Sequence, residues 1–67
     1  MTEAQFQALA QLLRLRAGPA REAVRLHMVT GLSVPDSARA AGFDYQLTLK
    51  AVKRVKTGLA LAEAAVL

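Results

Sequence analysis

The sequence predicts an all-α protein, a bundle of four to five helices, and three observations carry that prediction. Hydrophobic residues make up 54% of the 67-residue chain, which argues against disorder, while aromatics make up only 4%, so the core is built from Ala, Leu and Val and strand formers are few. Apolar side chains recur at helical spacing. Gly, Pro and short polar side chains fall where short helices would start and stop.

The first helix is signalled by Thr2 and Gln5, a capping-box pair in which the hydroxyl accepts an orphan backbone N–H and the amide reaches back to the cap. At about 100° per residue, Phe6, Leu9, Ala10 and Leu13 share a core face. Ala4, Ala8, Leu12 and Leu15 form a second stripe, which serves either a broad core face or a subunit interface. Gly18 and Pro19 end this helix and start the second, about Ala20 to Thr30: glycine permits the C-terminal cap, and proline fits a first turn where its missing N–H costs nothing. Gly31 closes the second helix. Ser33 and Asp36 mark a short third helix, roughly Val34 to Ala41, with Pro35 in its first turn.

Gly42 follows that helix, and Asp44 is placed to cap a fourth one beginning near Tyr45. Thr48, Ala51, Val52, Val55 and Leu59 fall on one face, and Gln46, Leu49, Lys50, Lys53 and Thr57 on the other, with Arg54 on the flank. Gly58 either ends this helix or weakens it by about 1 kcal/mol relative to alanine. Leu59 to Leu67 then reads as more helix, very apolar for a tail.

Composition narrows the function classes. A chain this short holds one domain, 1–67, with a marginal core of its own. Cysteine is absent and His27 is the sole histidine, which excludes disulfides, leaves no plausible zinc site and gives nucleophilic catalysis little to stand on. Gly18 and Gly31 are isolated and make no phosphate-binding loop. The expectation is a non-enzyme with no cofactor and no small-molecule substrate. No apolar run approaches the roughly 20 residues that cross a bilayer, and the start at Thr2 and Glu3 has no signal-peptide pattern, so no membrane partner and a cytoplasmic location are expected.

Nine basic against five acidic residues give a net charge of +4, and the distribution is more informative than the sum. Lys50, Lys53, Arg54 and Lys56 crowd into one helix with no acid among them. Ala38 and Gly42, four apart, supply the small residue and the turn glycine that two steeply crossing helices need, and Phe43 follows as an apolar anchor. That order, ahead of a helix with one apolar and one basic face, predicts a helix-turn-helix over about 34–57. Its partner would be double-stranded DNA. Tyr45 suits a phosphate oxygen, Gln46 can pair with adenine, Lys50 or Lys53 can donate to guanine, and Leu49 can touch a thymine methyl. Arg54 stands at the margin and Lys56 reads as solvated.

Over roughly residues 2–59 the chain also resembles the DNA-binding domain of the KorA/TrfB-type plasmid transcriptional repressors. Thr-Glu-Ala-Gln-Phe-Gln at Thr2 to Gln7 carries the resemblance, with Val29, Gly31, Ala38, Gly42, Phe43, Ala51, Val52, Arg54 and Val55. It implies a repressor that binds palindromic operators as a homodimer, with base contacts from the helix beginning near Tyr45. Arg54 matches an arginine of the family's recognition helix, whereas Lys50 stands where glutamine is frequent. Gln46, Leu47 and Leu49 also replace smaller or more polar residues, so the resemblance carries the docking mode and not the operator sequence. Larger members have a separate C-terminal dimerisation region. Here Leu59, Leu61, Ala62, Ala65, Val66 and Leu67 are the first interface candidates and the Leu12/Leu15 stripe the second. A tail folded back on its own core is the alternative.

Two other readings compete. A protein-interaction module would use the Ala- and Leu-rich helices to bind another helix, leaving the charge to maintain solubility. Membrane-surface binding is weaker, because the apolar face of the fourth helix is expected to be spent on the core.

Overall fold

The computed structural model describes residues 1–66, with side chains through Ala65, and contains four helices: α1 (Glu3–Leu12), α2 (Pro19–Met28), α3 (Val34–Ala41) and α4 (Tyr45–Val66). No strand occurs among the described residues. α2 and α4 touch each other and both remaining helices, whereas α1 and α3 do not meet.

The expected capping box opens α1: Gln5 N–H donates to Thr2 Oγ1 at 3.1 Å, and Thr2 N–H donates to Gln5 Oε1 at 2.9 Å. Its end differs from the sequence expectation. The helix stops at Leu12, well before Gly18, because Arg14 turns left-handed at φ +56°. The Arg14 and Leu15 amides then satisfy the carbonyls of Gln11 and Ala10 at 3.1 and 2.8 Å, a Schellman closure built without glycine. Gly18 and Pro19 therefore only start α2. That helix begins one residue earlier and ends two residues earlier than expected, and Thr30 and Gly31 belong to the connection, which His27 pins by donating from Nδ1 to the Leu32 carbonyl at 2.7 Å.

Ser33 caps α3 by accepting from Asp36 N–H at 3.2 Å, as the sequence predicts. Gly42 at φ +66° closes it, and Phe43 N–H reaches back to the Ala38 carbonyl at 2.8 Å. Asp44 caps α4, its Oδ2 accepting from Leu47 N–H at 2.9 Å. The connection between α3 and α4 is thus three residues long, 42–44.

Gly58 neither ends nor interrupts α4. A Cβ there would lie 2.7 and 2.9 Å from the two methyls of Leu13, so the missing side chain lets the end of α1 close onto α4. The core is Phe6, Leu9 and Ala10 from α1, Val24 from α2, and Val52 and Val55 from α4. Leu13, Leu15, Met28, Ala51 and Leu59 pack around it. Phe43 is half-buried outside this cluster, so it seals the turn instead of anchoring it to the core. Ser37 and Ala38 are the buried residues of α3, and Ser37 Oγ has no hydrogen-bond partner among the described residues; both positions are occupied by small side chains where helices press together.

Candidate nucleic-acid interface

Two faces of α4 are set by burial. Thr48, Val52 and Val55 are buried, and Thr48 Oγ1 satisfies itself by donating to the Asp44 carbonyl at 2.7 Å. Gln46, Lys50, Lys53 and Thr57 lie opposite, all exposed, and form the centre of the outward face. Tyr45, 43% exposed, stands at the N-terminal end beside the cap. Leu49 departs from the expectation: it is half-buried on the edge of the face, because its position on the helix wheel is nearer the core stripe than the Lys50 direction.

Arg54 is exposed on the opposite edge, where its Nη2 donates to the Leu13 carbonyl at 3.3 Å. It therefore ties α4 to the end of α1 and leaves the guanidinium with further N–H donors. Lys56 is exposed on the Tyr45 side of the helix.

Pairing separates the cations into two sets. Arg25 Nε and Nη2 grip both oxygens of Glu22 at 2.9 and 2.6 Å, and its Nη1 lies 3.5 Å from Glu3. The guanidinium hydrogen bond holds the Glu22 carboxyl below its usual range and raises Arg25 above its own. Arg39 pairs with Asp36 at 3.4 Å. Among the described residues the remaining seven basic side chains make no ion pair: Arg14, Arg16, Arg21, Lys50, Lys53, Arg54 and Lys56. Positive charge without local compensation thus gathers on the outer face of α4 and at the α1–α2 connection. Arg14 and Arg16 had no place in the sequence-level interface. Their one trace in the sequence is the Arg-Leu-Arg run at 14–16, which lies inside the expected span of the first helix up to Gly18.

The proposed dimer residues are scattered. Leu59 packs against the core, Ala62 is half-buried, Leu61 is 67% exposed and Ala65 is exposed. The Val66 side chain and Leu67 lie outside the described residues. In the other stripe Leu15 joins the core margin, while Ala4 and Ala8 are exposed and Leu12 is 66% exposed. Among the described residues, no group of His, Asp and Glu side chains could hold a metal ion, and no helix is long and apolar enough to cross a membrane.

Comparison with family models, curated proteins and solved structures finds no match to this chain.

Proposed function

We propose that this chain binds double-stranded DNA, with α3 and α4 acting as a helix-turn-helix and the outward face of α4 entering the major groove. The carrying observation is that Gln46, Lys50, Lys53 and Thr57 form an exposed face on which neither lysine is ion-paired among the described residues, while the opposite face is spent on the core. A major groove about 12 Å wide admits one helix whose side chains reach base edges. Gln46, Lys50 and Lys53 are the base readers, Tyr45 and Arg54 the phosphate contacts, and Leu49 an apolar contact at the margin. The three-residue connection closed by left-handed Gly42, with small Ala38 at the helix crossing, supports the motif.

Action as a homodimeric repressor belongs to the same proposal and rests on the family resemblance. Half-sites one turn apart, about 34 Å, would give two copies the affinity that a single small module lacks. Exposed Leu61 and Ala65 remain available to a partner copy, whereas Leu59 is committed to its own core.

The test is selection from a random duplex pool at low salt, followed by titration of the selected sequence against salt. Saturable binding is expected, with a log–log slope of about 0.9 per phosphate contact. Failure to bind any duplex removes the proposal. A second reading, a protein-interaction module, is favoured by an open apolar groove of about 640 Å³ lined by Met1, Ala8, Leu12 and Met28 among others. It would stand if duplex binding failed.

A further inference from the structure

The α1–α2 connection carries a second basic cluster that shares only Arg54 with the proposed α4 interface. A cleft of about 310 Å³ is walled by Arg14, Arg16, Arg21 and Arg54 over an apolar floor that includes Val24 and Ala51. An adjoining cleft of about 460 Å³ shares three of these arginines and adds the side-chain amides of Gln7 and Gln11. Among the described residues, no carboxylate lines either one.

Two of the four guanidinium groups are held in place. Arg21 donates to the Leu15 carbonyl at 3.2 Å and to Gln7 Oε1, and Arg54 donates to the Leu13 carbonyl. A guanidinium has five N–H donors in a planar fork, so both keep donors in hand and lose little freedom when an oxyanion arrives. Arg14 holds the left-handed position of the helix end, where glycine costs least, and adds a cation to the lining of both clefts. Ala20, in the first turn of α2, lines the 310 Å³ cleft as well, adding the positive end of that helix to the field.

We propose that this arginine cleft binds a phosphate group. Four like charges around one cleft repel one another, and a phosphate removes that repulsion while accepting bidentate, charge-assisted hydrogen bonds. The phosphate can come from a DNA backbone beside the α4 face, a source that rests on the DNA-binding reading, or from a free phosphorylated ligand, which does not.

Inorganic pyrophosphate titrated into the full chain, followed by arginine Nε–Hε NMR signals, is expected to give saturable shifts at Arg14, Arg16 and Arg54. Arg39, paired with Asp36, should stay still. Arg14→Gly relieves the left-handed backbone and so keeps the fold. Combined with Arg16→Ala, it is expected to weaken pyrophosphate binding about tenfold or more. If the backbone is the source, the double variant also lowers the duplex salt slope by about 1.8 without changing the preferred sequence. Weakened pyrophosphate binding with an unchanged duplex slope assigns a free ligand. No saturable shift together with an unchanged slope overturns the proposal, and if no duplex binds at all, the pyrophosphate titration decides alone.

Discussion

The nearest neighbour of each cation decides what that side chain can do. Arg25 is spent on Glu22 and Glu3, Arg21 and Arg54 hold backbone carbonyls just past the end of α1, and among the described residues Lys50 and Lys53 touch no acid. On the outward face of α4, Lys50 and Lys53, with Gln46, are free in direction as well as charge. Gln46→Ala or Lys50→Ala is therefore expected to change the preference for one base position by about 1–3 kcal/mol, read by competition between operator variants. Equal losses on every sequence would reduce both residues to backbone contacts. Lys50 and Lys53 were legible in the sequence because a helix wheel alone fixes their direction. The bond from Arg54 to Leu13 was not, since it joins groups 41 positions apart that no local pattern relates.

Among the elements, α4 gains its length from a residue that argues against it. Glycine lowers helix propensity by about 1 kcal/mol relative to alanine, yet α4 runs through Gly58 because the Leu13 methyls occupy the space of a Cβ. Gly58→Ala alone is expected to change stability little, the propensity gain being offset by displacement of the flexible Leu13 end. In a Leu13→Ala background the same change should stabilise by about 1 kcal/mol more, as a double-mutant denaturation cycle would show. Additive effects, within roughly 0.3 kcal/mol, would contradict the contact. A sequence shows the propensity of Gly58 but not its neighbour, which is why helix end and helix contact could not be told apart beforehand.

At the scale of the whole molecule, charge is sorted: Glu3, Glu22 and Asp36 pair with Arg25 and Arg39, and among the described residues uncompensated cations gather around α4 and the α1–α2 connection. The Glu3–Arg25–Glu22 cluster also ties α1 to α2, which gives the fold a pH dependence of known sign. Arg25 lowers the folded-state pKa of Glu22 from its ordinary 4.5, so this contribution is fully present above that value and is lost as pH falls through the lower folded one. Carboxyl NMR should place the Glu22 midpoint below 4.5, and Arg25→Ala should return it toward that value. Added salt should shrink the difference, because the pair is exposed. A midpoint indifferent to Arg25 would remove the pair from the stability of the fold.

What the sequence determined by itself was local: the helical class, the caps at Thr2, Ser33 and Asp44, the turn at Gly42, and the two faces of α4. Each follows from hydrogen bonds or side-chain directions within a few residues. Tertiary structure alone decided that α1 ends at a left-handed Arg14, that Gly58 is a contact, that Leu49 is half-buried, and that Arg14, Arg16, Arg21 and Arg54 share one cleft. Apart from the edge position of Leu49, which the helix wheel itself implies, those features depend on which helix packs against which, and a local periodicity carries no record of that choice.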